Sequence, residues 1–278
     1  MMEMSPKPRT GFEESTPLME SFGLGAREMI SLVGAGGKTT LMFRLAAELA
    51  HIGKRVVTTT TTKIMEPSQE ETPSLFVDSE DEKIIAFVDK HLAEIRHITI
   101  ASERLGSKKL RGVSPELITA LWHAGRMDYL IIEADGAAGR PVKAPREGEP
   151  VISQETTLVV ALLGVDGMDM ELGEEHVFRP EQVSRLTGLP PGSSMTDEAM
   201  AVLLTHPDGI FRGAPLSSRV AVCLNKVDLV NGIEKGKSVA RKILDRRHRQ
   251  IDRIVLGQLK RDPPVAGVLF QHHPSGRF

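Results

Sequence analysis

Apolar residues in this chain fall into short unbroken runs, separated by stretches in which they recur at helical spacing. The runs lie at 28–33 (EMISLV), 54–59 (KRVVTT), 74–77 (SLFV), 97–102 (HITIAS), 128–134 (DYLIIEA), 156–163 (TTLVVALL), 219–225 (RVAVCLN) and 253–259 (RIVLGQL). Segments that stay apolar at successive positions suit strands covered on both faces. Between them, 38–53 carries apolar residues at helical spacing and stops at Gly53, and 114–125 opens on Ser114 and Pro115 and closes on Gly125. Thr196 is placed to cap a helix over 197–206, and 234–249 reads as a basic amphipathic helix. Alternation of this kind predicts a mostly parallel sheet with helices on both faces. Two long stretches, 135–155 and 164–195, read as loops, and loops of that length in a compact domain are usually functional or mobile.

The boundaries follow from the same pattern. Residues 1–24 read as a polar, mobile tail with a short helix near Leu18 to Phe22, and 25–278 as one α/β domain without internal repeats. A chain of 278 residues with 40% hydrophobic content buries an ample core. Its 35 Lys and Arg against 37 Asp and Glu give a net charge of −2, so no global basic field draws it to nucleic acid or to an anionic membrane. The only cysteine, Cys223, sits in an apolar run, which excludes a disulfide framework and suits a cytoplasmic setting. No apolar stretch reaches the roughly 18 residues of a membrane span.

Chemistry concentrates at three strand ends. SLVGAGGKTT runs from a strand into a helix, and Gly34, Ala35, Gly36 and Gly37 supply a loop whose N–H groups can turn inward as an anion cradle. In that arrangement Lys38 reaches the β/γ-phosphates of a nucleotide, Thr39 offers a hydroxyl to Mg²⁺, and Thr40 extends the polar edge. Leu32 stands six positions before the lysine where G-x-x-x-x-G-K-[ST] has glycine, so the loop is the shorter G-x-x-G-K-T-T, similar to that of the Mur ligases. The expected fold is therefore a three-layer P-loop NTPase-like fold with a doubly wound sheet.

At the second strand end, Glu133 and Asp135 occupy the edge where open α/β sheets bind ligands, with the E-x-x-G form found in GTPases that load nickel into enzymes. They are the candidates to hold Mg²⁺ with Thr39 and, with Lys38, to act on the γ-phosphate. The third strand end carries Asn225, Lys226 and Asp228 as N-K-x-D, in which the aspartate reads guanine N1 and N2, the lysine stem covers the ring and the asparagine ties this loop to the phosphate loop. Adenine lacks those donors, so the motif favours GTP over ATP.

Five consecutive threonines, Thr58 to Thr62, precede Lys63. Part of the run is strand propensity. If the strand at 54–59 lies beside the first, Thr60 and Thr61 donate hydroxyls toward the phosphates, with Lys63 as a supplementary cation. Arg140 and Lys143 are loop cations able to close over phosphate or to bind an anionic substrate. Asp166 and Asp169 read as turn residues or metal ligands, His176 and Arg179 as contacts to a second ligand, and His206 as a helix terminus. No His/Cys spacing for zinc occurs, and His272 and His273 are too weak a signal for a metal site.

In this order, VGAGGKTTLM, VVTTTTTKI, LIIEADGAAGRPVKAP, GVDGMD, FRPE, LLTHPDG and NKVD resemble the selenium-dependent hydroxylase accessory protein YqeC family over about residues 28–228. The resemblance implies a P-loop NTPase in maturation of molybdenum hydroxylases that require a labile selenium, with a client hydroxylase or cofactor-maturation protein as partner. Related metal-delivery GTPases work as dimers across the nucleotide site, so a homodimer is a further expectation. Two readings stay open: a nucleotide switch delivering a metal, selenium or cofactor, and an ATP-dependent kinase or ligase acting on a small anionic substrate. A scaffold that binds nucleotide without hydrolysing it is the third.

Overall fold

A computed structural model describes residues 16–271. The expected tail before residue 16 and the paired histidines His272 and His273 lie outside the described residues. In chain order the strands are β1 (Glu28–Gly34), β2 (Val56–Thr60), β3 (Lys63–Met65), β4 (Leu75–Val77), β5 (His97–Ala101), β6 (Glu103–Leu105), β7 (Lys109–Arg111) and β8 (Tyr129–Glu133). They continue with β9 (Val142–Lys143), β10 (Leu158–Gly164), β11 (Val177–Phe178), β12 (Arg219–Asn225), β13 (Ile251–Gly257) and β14 (Val265–Phe270). The helices are α1 (Leu18–Ser21), α2 (Lys38–His51), α3 (Asp81–Ile95), α4 (Pro115–His123), α5 (Pro180–Thr187), α6 (Asp197–Thr205) and α7 (Gly232–Arg246).

Nine strands form one sheet in the order β14-β13-β12-β10-β1-β8-β2-β5-β4, parallel throughout except for the β13/β14 pair. Alternation within β8 shows how both faces are covered. Ile131 packs in the layer of α2, with Leu41, Met42, Leu45 and Leu49, whereas Leu130 and Ile132 pack in the layer of α3 and α4, with Ile84, Val88, Leu117 and Leu121. On that second face, α6 and α7 cover β10 and β12 through Met200, Leu203, Val239 and Ile243. The architecture is the expected three-layer P-loop NTPase-like fold, with helices on both faces of a mostly parallel sheet.

All eight strands expected from the apolar runs are present, with ends shifted by no more than two residues. One placement differs. β2 was expected beside β1, but β8 lies between them, pairing Leu32 with Glu133 on one side and Thr60 with Glu133 on the other. On its far side β2 pairs with β5. The Thr58 hydroxyl bonds His97 Nε2 at 3.0 Å and Thr99 Oγ1 at 2.8 Å, both on β5, so β2 needs β5 as a neighbour. Leu130, Ile131 and Ile132, all buried, fill the strand that holds the place between β1 and β2.

The two long stretches also hold more structure than loops. β9 and β11 pair in parallel, Val142 with Val177, and α5 starts at Pro180. A small antiparallel sheet, β3-β7-β6, projects beyond β2 and is anchored by the buried Ile64 and Leu110. Its approach to the main sheet depends on Gly112, where a Cβ would lie 1.9 Å from the Thr60 carbonyl oxygen.

His97 is buried at the base of β5, and burial lowers its pKa from 6.5 to about 4. An unfolded chain therefore takes up this proton between pH 6.5 and 4 while the folded chain does not, so folded-state stability present above pH 6.5 is lost as the pH falls through that window. Denaturant unfolding from pH 7 to 4 is expected to show a stability loss of up to about 3 kcal/mol that His97→Gln flattens.

Candidate functional site

Three strand ends, β1, β8 and β12, open at one edge of the sheet into a cavity of about 830 Å³. After β1 the chain turns through Gly34, Gly36 and Gly37, all at positive φ (95°, 84° and 139°). These are positions where side chains cannot follow. A Cβ at Gly36 would lie 2.3 Å from the Gly164 nitrogen, and one at Gly37 would lie 2.4 Å from Asn225 Nδ2. The loop is thus pressed against the ends of β10 and β12, and Ala35 N–H donates to the Leu162 carbonyl at 2.9 Å. α2 starts at Lys38 with no side chain capping its N-terminus, which leaves its first N–H groups facing the cavity as an anion site.

Beneath the loop lies Asp135, wholly buried. Its two carboxylate oxygens each accept from Gly34 N–H at 3.1 Å, Lys38 Nζ approaches to 3.2 Å, and Lys143 Nζ donates at 2.8 Å. Lys38 Nζ also donates to the Gly34 carbonyl at 2.6 Å and lies 3.7 Å from Glu133. Burial works against the Lys38 ammonium, but Asp135 and Glu133 outweigh it and hold its pKa above the usual value. For Lys143 the balance is reversed, burial prevailing over the attraction of Asp135, and its pKa is lowered.

The expected residues separate into those that line the cavity and those that shape it. Gly36, Gly37, Lys38, Thr39, Thr40, Lys63, Glu133, Asn225, Lys226 and Asp228 line it. Gly34 and Ala35 act from behind through the bonds given above. Asp135, expected at the metal, is inside the protein with its oxygens engaged by Gly34 and two lysines. Thr60 is also turned inward, donating to the Glu133 carbonyl at 2.7 Å, and Thr59 donates to the Ile100 carbonyl at 3.0 Å. Thr61 Oγ1 is buried without a hydrogen-bond partner. Thr58, Thr59 and Thr60 therefore weld β2 to its neighbours, and Lys63 reaches the cavity.

Thr39 and Glu133 meet at the cavity wall, Thr39 Oγ1 donating to Glu133 Oε2 at 2.7 Å. Burial raises the Glu133 pKa, partly offset by Lys38 and Thr39. A hydroxyl beside a carboxylate is a hard oxygen pair that fits Mg²⁺. Among the described residues no group of three or more His, Cys, Asp or Glu could hold a metal, so an ion here would draw its other oxygens from phosphate and water.

On the opposite wall, Asn225 Nδ2 donates to the Gly36 carbonyl at 2.7 Å, and Asn225 Oδ1 accepts from Leu259 N–H at 3.1 Å. The asparagine thereby joins the phosphate loop to the segment after β13. Lys226 adopts φ 69°, an uncommon conformation for a lysine, and pairs with Asp166 at 2.6 Å. Asp166 Oδ1 is buried without a hydrogen-bond partner. Asp228 accepts from Arg261 at 3.0 Å. Residues with no assigned part in the nucleotide site also line the cavity, notably Lys109 and Lys260. Lys109 stands opposite Met65 in the small sheet, a pairing without a local sequence signal.

Most of the remaining candidates fall elsewhere. Asp169 sits in a left-handed turn and pairs with Lys235 at 3.0 Å, and His206 accepts from Asp208 N–H at the end of α6. Arg140 is the exception: it lines the nucleotide cavity, with its Nε donating to the Glu174 carbonyl at 2.8 Å. Arg179 grips Glu149 with two bonds, 2.7 and 3.0 Å, while the partly exposed His176 lies 3.8 Å from Glu175. Cys223 is buried in β12, its thiol pushed up to about 12 by burial. Among the described residues no helix is long and apolar enough to cross a membrane.

The YqeC protein family matches residues 30–181. An uncharacterized protein YqeC of Escherichia coli (strain K12) is 31% identical over 246 residues, covering 87% of this chain and 93% of the relative. Among solved structures, the signal recognition particle 54 kDa protein of Aeropyrum pernix K1 in complex with GDP matches 83% of this chain and 41% of its own, at 17% identity and a TM-score of 0.34. FtsY of Mycoplasma mycoides matches 87% of this chain and 64% of its own, at 12% identity and a TM-score of 0.37. This chain spans less than two thirds of either solved chain.

Removing the Asp135 charge leaves two buried lysines facing each other without their shared partner. Asp135→Ala is expected to lower unfolding free energy by about 3–5 kcal/mol in chemical denaturation, more than any substitution on the cavity wall.

Proposed function

We propose, from the premise that the chain belongs to the YqeC family, that it is a Mg²⁺-dependent P-loop nucleoside triphosphatase that prefers GTP. One observation carries the reading: the asparagine of N-K-x-D bonds directly to the glycine loop, so a base-reading segment and an anion cradle share one cavity. The uncapped start of α2 and the loop N–H groups receive the phosphates. Lys38, kept charged by its carboxylate partners, leaves the Gly34 carbonyl to neutralise charge on the β/γ-phosphates. Thr39 and Glu133 hold Mg²⁺, which supplies further neutralisation of phosphate oxygens when bound. Lys226 covers the base, and Asp228 exchanges Arg261 for the guanine N1 and N2 donors.

Hydrolysis is attack of water on the γ-phosphorus, releasing the diphosphate leaving group and inorganic phosphate. Asp135 is a positioning residue on this reading, since Gly34 and the lysines occupy its oxygens. The cycle serves delivery of a metal, selenium or cofactor to a client molybdenum hydroxylase in the cytoplasm. Support for that last step is the family resemblance carried by the EADG to KAP and TTTTK segments.

Competition between Mg·GTP and Mg·ATP tests the proposal. GTP is expected to bind at least about tenfold tighter, corresponding to about 1.4 kcal/mol from satisfying the Asp228 carboxylate. Asp228→Asn abolishes the preference, and Lys38→Ala weakens both nucleotides. Equal binding of ATP, unchanged in Asp228→Asn, would reject the guanine assignment in favour of an ATP-dependent kinase or ligase.

A further inference from the structure

Three stretches, around GRPVKAP, FRPE and LLTHPDG, converge on a second cavity. It has a volume of about 620 Å³, within the range of small-molecule sites. Arg146, Arg185, Arg212, Gln182 and His206 contribute donors to its lining. His206 Nδ1 accepts from Asp208 N–H, so the neutral ring carries its proton on Nε2 and presents a donor as well. Two carboxylates, Glu147 and Asp208, share the lining, but among the described residues neither comes within 4 Å of an arginine or lysine nitrogen. Arg185 and Arg212 therefore face the cavity without an ion-pair partner. Arg185 is solvent-exposed and Arg212 half-buried, so both guanidiniums are open to a ligand, and the planar fork of each matches oxyanion geometry.

Arg146 is held in place from behind. Its Nε donates to Glu149 at 2.9 Å, Glu149 is gripped by Arg179, and Lys143 lies 3.4 Å from Glu149 while bonding Asp135 at 2.8 Å. Phe178 supports the Arg179 guanidinium 4.5 Å from its ring centroid. Against burial, the three cations hold the Glu149 carboxyl down at about 2, so this anchor stays ionised. The chain of contacts runs unbroken from the phosphate loop to the second cavity. Glu149 has three cationic partners, which leaves Arg146 with charge to spare for a ligand.

We propose that this cavity is a second binding site, specific for a small molecule bearing a phosphate or a similar oxyanion group, with Arg185 and Arg212 as its principal ligands and Arg146 as a third. The site stands apart from the nucleotide cavity and shares no lining residue with it.

Calorimetric titration with inorganic pyrophosphate at about 0.15 M salt tests the assignment on the full chain. Wild type is expected to show two classes of site. The Arg185→Ala/Arg212→Ala variant loses one class, its affinity falling at least tenfold, whereas Lys38→Ala retains that class and weakens the other. Arg185→Glu, at an exposed position, guards against misfolding of the double variant and gives the same loss with an unchanged melting temperature. Pyrophosphate binding identical in wild type and both arginine variants would overturn the proposal. If the nucleotide reading alone is wrong, Lys38→Ala changes nothing while the arginine variants still lose their site.

Discussion

The Asp135 carboxylate is the contact on which the rest of this site depends. A strand end in an open α/β sheet would ordinarily leave such a group in solvent, but here it is buried beneath the phosphate loop, holding Gly34 N–H, Lys38 and Lys143 together. One carboxylate between two ammonium groups would leave an excess of buried positive charge. Glu133 on one side and Glu149 on the other reduce it, and Arg179 and Arg146 then satisfy Glu149. Burying so many charges yields little net stability, because desolvation offsets most of the attraction. Its consequence is geometric: the loop after β1, the β8 end and the β9 region cannot move independently without exposing an unpaired charge.

That constraint explains a division of labour between the two acidic residues at the β8 end. Glu133 and Asp135 are two positions apart, and both sit near Lys38. Glu133 meets Thr39 on the cavity wall, where a hydroxyl and a carboxylate share a hydrogen bond. Asp135 is withdrawn behind the loop and acts on the backbone of Gly34. The glycines make the arrangement sterically feasible, since Gly36 and Gly37 allow the loop to sit directly on Gly164 and Asn225. Asn225 completes the frame from the far side.

Much of this was legible because it is local. A strand, a run of glycines, a lysine and two threonines describe the phosphate loop within ten residues, and N-K-x-D describes its counterpart within four. Apolar runs located eight of the nine strands of the main sheet for the same reason and missed the antiparallel edge strand β14. What sequence could not convey was pairing at a distance. Lys143 reads as a loop cation, yet it is fully buried because Asp135 and Gly136 receive it. The bonds from Thr58 to His97 and Thr99 join β2 to β5 across some forty residues of sequence. β9, β11, β3 and β7 are only two or three residues long, too short for a periodic signal. Lys109 reaches the nucleotide cavity through one of them, β7.

The most direct test of the account is a crystal structure of the chain with Mg²⁺ and a non-hydrolysable GTP analogue. The account predicts phosphates on the N–H groups of Gly36 to Thr40, guanine against Asp228, and Lys38 Nζ moved from the Gly34 carbonyl to the phosphates, with the Asn225 to Gly36 bond and the Asp135 to Gly34 bonds retained. An analogue bound elsewhere, or bound here with Lys38 still on Gly34 and Asp228 still on Arg261, would contradict it.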